Sequence, residues 1–439
     1  MAITARQAAY QVLMRCRKSG AWSEDAVSSE IEKCGLDHRD GALCSRIAIG
    51  VLQNTALLDY YISCYCSMPL KKLDPRLLDI LRLSAYQLLF MDKIPVSAAV
   101  NEGVALCKKQ VNVKASGLCN AVLRRIAENR ENMPEIPGKP GVDYLAIKYS
   151  HPKWYVEELV KEYGYEFAEQ ALEANNMTPP VYAHSNSLHA HEALDSALAS
   201  LGAENCALEG SVVLSTTAGM TQLEAFKQGN FYIQDLAAKL AALAGDAKPG
   251  MTVLDSCAAP GGKTIATAML MENEGKIISC DIHEKKLRLI RENTERLGIR
   301  IVETRAMDAR KPHEDLQDTF DLIIADVPCS GLGVIRRRPE IRQKSREELD
   351  NLPAIQMDIL EGLAPCLKNG GVLLYSTCTV RGKENELLVR AFLEKHSEFK
   401  AEAFELPCGI GMVESGMMTF WPHIHNTDGF FVCKLRKQV

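Results

Sequence analysis

Apolar residues recur every third or fourth position through the first 130 residues. ARQAAYQVLMRC, SRIAIGVLQNTALLDYYIS, DPRLLDILRLSAYQLLF and SAAVNEGVALCKKQ all carry this period, which gathers apolar side chains on one face of a helix. Asp74-Pro75 offers an N-cap followed by a first-turn proline. Turn residues are scarce between these stretches, so a compact helical bundle is predicted. ENMPEIPGKPGVD (131–143), with three prolines and two glycines, reads as a linker. The pattern is mixed from 144 to 245: SHPKWYVEELVKEYG predicts a helix, and VYAHS, SVVLS and NFYIQD predict short strands. From 246 the texture becomes short apolar strands alternating with helices. MTVLD (251–255), KIISCD (276–281), DLIIAD (321–326) and GVLLYS (371–376) are the strands, the signature of a parallel α/β sheet. The expected organisation is an all-α bundle (1–135), a small α+β middle domain (144–245) and an α/β domain (246–439).

A length of 439 residues fits three domains at about 150 residues each. With 47% hydrophobic and 24% charged residues, the chain is neither disordered nor fibrous. No apolar run reaches the roughly 18 residues of a membrane helix, and the N-terminus lacks the cationic and apolar regions of a secretory signal. A cytosolic chain without a membrane partner is expected. Fifteen cysteines are scattered without a single CxxC pair, so no zinc site or other metal is expected, and most should be small buried hydrophobes. The net charge is −5, yet residues 1–130 hold 18 Lys and Arg against 12 Asp and Glu. A basic front on an acidic chain points to an anionic partner.

The chemistry gathers at strand ends. MTVLD runs into Ser256-Cys257-Ala258-Ala259-Pro260-Gly261-Gly262-Lys263-Thr264 and then a helical pattern. Small residues there let the backbone approach a ligand at the carboxyl edge of the sheet. Gly262-Lys263-Thr264 matches the end of a P-loop, but Cys257 stands where its first glycine belongs, and GxGxxG is absent. A third reading is the S-adenosylmethionine loop of a class I methyltransferase. Asp281, Asp308 and Asp326 end successive β segments; three acids on one edge beside a glycine loop suit a nucleoside better than three helix caps do. Cys329 follows the fourth strand and Cys378 the fifth, so both open onto one crevice of a doubly wound sheet. Such thiols meet a chemical need. Cytosine C5 is a poor nucleophile until a thiolate adds to C6, and a second group must help restore the ring.

The residues DSCAAPGGKT, CDI, MDAR, DVPCSGLGVIRRRPEI and YSTCT resemble the motif series of the RNA 5-methylcytosine methyltransferases. FWPHIHNTDGFFVCKLRK resembles that family's closing motif, SHPKWYVEELVKEYG and FYIQDLAA its preceding segment, and residues 1–130 a NusB-type RNA-binding bundle. The combined layout is similar to that of the RsmB (Sun/Fmu) family, which acts on small-subunit ribosomal RNA. The resemblance implies a Rossmann-like methyltransferase domain and a monomer acting on ribosomal RNA. It implies Cys378 as nucleophile and Cys329 as the residue assisting release. It also implies that Cys257, Ala258, Ala259, Pro260, Gly261, Gly262, Lys263, Asp281, Asp308 and Asp326 hold S-adenosylmethionine. DNA cytosine methyltransferases use the cysteine of their Pro-Cys motif instead, which makes Cys329 the rival nucleophile. Tyr182-Ala183-His184-Ser185-Asn186 departs from the family's usual arginine before Val-Asn. Arg336, Arg337, Arg338, Arg342, Lys344 and Arg346 follow the Pro-Cys motif and are expected to meet RNA phosphates. A transfer RNA substrate, or a non-catalytic RNA-binding factor, is the alternative.

Overall fold

The structure is a computed structural model that describes residues 3–189, 198–311 and 313–438. Its contacts divide the chain into two compact units: Met1–Met177 with Ile335–Arg346, and Thr178–Val334 with Glu347–Val439.

The first unit is helical. Residues 5–128 form α1 (Ala5–Ser19), α2 (Ser23–Cys34), α3 (His38–Gln53), α4 (Thr55–Tyr65), α5 (Pro75–Phe90), α6 (Val96–Gln110) and α7 (Val113–Glu128). Their ends are set by local chemistry. Asp74 caps α5, accepting from Arg76 N–H at 2.8 Å, and α1 stops at Gly20 in the left-handed conformation. The apolar stripes meet in one core that includes Tyr10, Ile47, Ile80, Leu123 and Ile126. Among the described residues no single helix is long and apolar enough to cross a membrane. After the proline-rich stretch come α8 (Val142–Lys148), α9 (Lys153–Tyr163) and α10 (Tyr165–Ala174).

Residues 335–346 also belong to this first unit, which corrects the expected role of two members of the arginine tract. Arg336 and Arg342 are buried rather than presented to solvent. Arg342 donates to the carbonyls of Gln53 (2.6 Å), Asn175 (3.0 Å) and Tyr149 (3.2 Å). Burial lowers its pKa to about 9. Arg346 pairs with Glu158 at 3.3 Å, while Arg338 and Lys344 lie over the Trp22 ring. Arg342 thus satisfies backbone carbonyls, and Arg338, Lys344 and Arg346 engage a ring or a carboxylate, within their own unit. Charge counting overlooked it because the unpaired carbonyls at helix ends are not visible in composition.

The second unit starts with an antiparallel sheet of order β2-β3-β1-β4, built from β1 (Val181–Ser185), β2 (Ala203–Asn205), β3 (Ser211–Leu214) and β4 (Phe231–Ile233). His184, where an arginine is typical of the resembled family, is buried between Ser211 Oγ (2.7 Å) and the Gln234 carbonyl (3.0 Å). The large sheet contains β5 (Thr252–Asp255), β6 (Lys276–Asp281), β7 (Val302–Ala306), β8 (Phe320–Asp326) and β9 (Leu367–Thr377). These five run parallel in the order β9-β8-β5-β6-β7. Alternate residues feed two cores: Val253, Ile324 and Leu374 enter one, and Leu254, Ile323 and Leu373 the other. A sheet buried on both faces accounts for the unbroken apolar runs. Three strands of this large sheet were not foreseen, β10 (Phe399–Ala401), β11 (Met417–Phe420) and β12 (Phe430–Lys437). β12 pairs antiparallel with β9, and β10 and β11 pair with β12.

Candidate active site

The glycine loop is fixed by backbone bonds to both neighbouring strands. Ser256 N–H donates to the Ile324 carbonyl of β8 at 3.0 Å, and Ala258 N–H to the Cys280 carbonyl of β6 at 2.7 Å. Gly261 has φ +107°, a conformation L side chains rarely adopt, and caps α11 (Gly262–Leu270). The side chains of Cys257 and Ala258 pack into cores, and burial pushes the Cys257 thiol up to about 12. These two residues therefore offer a ligand their backbone rather than their side chains.

The acids fall into two groups, because β5 lies between β6 and β8 in the sheet. On one side stand Asp281 and Asp308. Asp281 ends β6, nearly buried, with Oδ1 accepting from His283 N–H at 2.9 Å. Asp308 lies two residues beyond β7. The Arg310 guanidinium binds it through two bonds (2.9 and 2.8 Å) and holds its carboxyl down at about 2. On the other side Asp326 ends β8 and is held at both oxygens: Lys263 Nζ approaches Oδ2 at 2.7 Å, and Ser376 Oγ donates to Oδ1 at 2.9 Å. The Lys263–Asp326 pair was not anticipated; the resemblance implied both residues for the same ligand. Lys263 also lies over the Phe430 ring of β12, 4.6 Å from its centroid.

Cys329 and Cys378 come together. Their Sγ atoms are 3.1 Å apart, and both are free thiols. The hydrogen bond with Cys378, and then burial, push the Cys329 thiol well above its ordinary value, so it is protonated at neutral pH. β8 and β9 are adjacent and in register at Asp326 and Ser376, which delivers both thiols to one edge.

Two residues beyond the expected set brace these thiols. Glu384 is fully buried and accepts from Ser330 N–H at 2.9 Å. Asn385 accepts from Thr377 Oγ at 2.7 Å and donates to the Thr379 carbonyl at 3.0 Å, bracketing Cys378. They follow Cys378 by six and seven residues, a spacing with no recognised chemistry of its own. Where the two loops meet, Gly333 N–H donates to the Cys378 carbonyl (3.1 Å) and Gly429 N–H to the Gly333 carbonyl (2.8 Å).

Comparison with known proteins follows this architecture. A family model described as 16S rRNA methyltransferase RsmB/F matches residues 242–436, the NusB family matches 3–128, and a ferredoxin-like domain of the RsmF/B-like methyltransferases matches 151–216. The chain is 36% identical over 445 residues to a probable ribosomal RNA small subunit methyltransferase B of Bacillus subtilis (strain 168), covering 99% of this chain and 98% of that one. The chain belongs to the ribosomal RNA small subunit methyltransferase B family. The protein of that name from Escherichia fergusonii is 32% identical, with 92% of each chain covered. Among solved structures, that of PH0851 aligns at 27% identity with a TM-score of 0.82 over 99% of this chain and 98% of that one. NSun6 from Pyrococcus horikoshii with SFG aligns at 26% identity and a TM-score of 0.58, over 65% of this chain and 98% of that one. The expected architecture, a NusB-like bundle, a small α+β domain and a methyltransferase domain, is the one the family models match.

Proposed function

We propose that this methyltransferase modifies C5 of a cytosine in small-subunit ribosomal RNA through a transient bond between Cys378 and C6. The observation that carries this reading is the 3.1 Å thiol pair at the ends of adjacent parallel strands. Family membership supports methyl transfer and a ribosomal RNA substrate, since the relatives are named for it. Residues 1–135 and 144–245 are proposed to bind RNA, and 246–439 to carry the chemistry.

The loop fits S-adenosylmethionine. Gly261, at φ +107°, makes the turn into a helix whose N-terminal N–H groups suit a polar ligand, and Asp281 keeps one carboxylate oxygen beyond its bond to His283 for ribose hydroxyls. Ala259, Pro260 and Asp308 complete the proposed cradle. When bound, the cofactor supplies an electrophilic methyl group on a sulfonium.

The chain's own residues do the rest. The Cys378 thiolate adds to C6, and the electron pair of the C5–C6 double bond becomes available at C5, which takes the methyl group. Asp326, anchored by Lys263 and Ser376, presents a carboxylate to the N3/N4 edge of the base and stabilises the adduct. The C5 proton must then leave, and the Cys378–C6 bond must break with its electrons returning to sulfur. Bonding of Cys378 to C6 removes the neighbour that most raises the Cys329 pKa. Cys329 thus becomes easier to ionise at the stage when a base is needed.

Two experiments test this. Cys378→Ala should abolish methylation, whereas Cys329→Ala should accumulate a protein–RNA adduct on a denaturing gel; reversed behaviour would favour the DNA-type mechanism. Bisulfite sequencing of total RNA from a deletion strain should show a mark lost from 16S ribosomal RNA. Loss from a transfer RNA alone would transfer the same chemistry to that substrate.

A further inference from the structure

We infer that the consecutive buried residues Glu384 and Asn385 are separate positioning residues, Glu384 for the release thiol Cys329 and Asn385 for the nucleophile Cys378. The inference rests on the reading above and deepens it.

Cys329 is held through the peptide groups on either side of it. Glu384 Oε2 accepts from the N–H of Ser330 at 2.9 Å. Gln356, on α12 (Leu352–Leu363), donates from Nε2 to the carbonyl of Pro328 at 2.9 Å and to Glu384 Oε2 at 3.0 Å. One carboxylate and one amide therefore clamp both flanks of Cys329. Glu384 is itself fixed, because Tyr375 Oη donates to its backbone carbonyl at 2.6 Å. All three side chains are buried. Hydrogen bonds made away from water are strong and directional.

Cys378 is held by a different pair of bonds. Asn385 reaches Thr377 Oγ with its carbonyl and the Thr379 carbonyl with its amide. The two clamps share a backbone but no hydrogen bond; a Ser330–Thr379 hydroxyl contact at 2.8 Å joins the loops directly.

Two loops with separate clamps predict separable defects. The test uses the full-length protein, tritiated S-adenosylmethionine and 16S ribosomal RNA from a deletion strain, with adduct formation and product release timed in a single turnover. Glu384→Ala should form the adduct within about threefold of the unaltered rate but release product about tenfold or more slowly, so adduct accumulates. Glu384→Gln, whose amide oxygen still accepts from Ser330 N–H, should restore release. Gln356→Met should reproduce the release defect, which keeps the inference testable should Glu384→Ala fold poorly. Asn385→Ala should slow adduct formation about tenfold without accumulation.

A purely structural role would slow both steps together and weaken S-adenosylmethionine binding measured by calorimetry; that result overturns the inference. Cys329→Ala separates the two levels. If it traps adduct while Glu384→Ala and Gln356→Met do not, only the assignment of Glu384 fails. If Cys329→Ala traps nothing, the covalent reading fails and the assignment with it.

Discussion

Asp255 is fully buried where β5 enters the glycine loop, with Oδ2 accepting from Thr264 Oγ at 2.7 Å. Burial pushes its pKa up to about 7, against the pull of that hydrogen bond and of Lys263. A folded-state pKa above the unfolded value near 3.8 means that the protonated acid favours the fold. Its contribution is complete below about pH 4 and is lost as pH rises through about 7. Asp255→Asn should remove this dependence, so its melting temperature relative to the unaltered protein should rise between pH 4 and pH 8 by about 5 °C. A thermal melt at each pH measures it, and a constant difference would place the proton elsewhere. Lys263 teaches a related lesson. The sequence places it in a cofactor loop, but only the fold reveals that its charge ends on Asp326, which arrives from a strand more than 60 residues later. Glu384 and Asn385 were illegible for the same reason: their chemistry consists of bonds to loops that spacing cannot bring together.

At the level of elements, backbone approach decides what is tolerated. Gly333 passes so close to Gly429 that an added Cβ would lie 1.8 Å from the Gly429 carbonyl oxygen and 2.9 Å from that of Cys378. Gly333→Ala should push these loops apart, costing about 1–3 kcal/mol of stability. The turnover number should fall about 100-fold, with S-adenosylmethionine affinity changed little. Calorimetry beside a methylation assay separates these effects. The alternation of strands and helices was legible because a parallel sheet buried on both faces needs unbroken apolar runs. KIISCD, DLIIAD and GVLLYS fall in observed strands, as does MTVLD from Thr252 onward. The antiparallel strand β12 was not, since FFVCKLRK reads only as part of a closing motif until β9 is there to pair with it. The small sheet was half visible; β1, β3 and β4 carry apolar runs, whereas β2, Ala203–Asn205, has too few residues for any period.

At the scale of the whole molecule, charge distribution and burial must be read together. The excess of Lys and Arg in the first 130 residues remains a candidate RNA footprint, but the tract at 336–346 spends much of its charge inside its own unit. Arg342→Ala would leave several buried carbonyls without donors and should cost about 2–4 kcal/mol. Because Arg342 is buried, the slope of log affinity against log salt for ribosomal RNA should not change. A shallower slope with unchanged melting would return that arginine to the phosphate backbone. The covalent chemistry is tested most directly by trapping. Ribosomal RNA substituted with 5-fluorocytidine cannot lose its C5 substituent as a proton, so the adduct should persist with the unaltered protein. After digestion, mass spectrometry of the RNA-linked peptide should place the bond on Cys378; a bond on Cys329, or no linked peptide from an active preparation, would contradict the account.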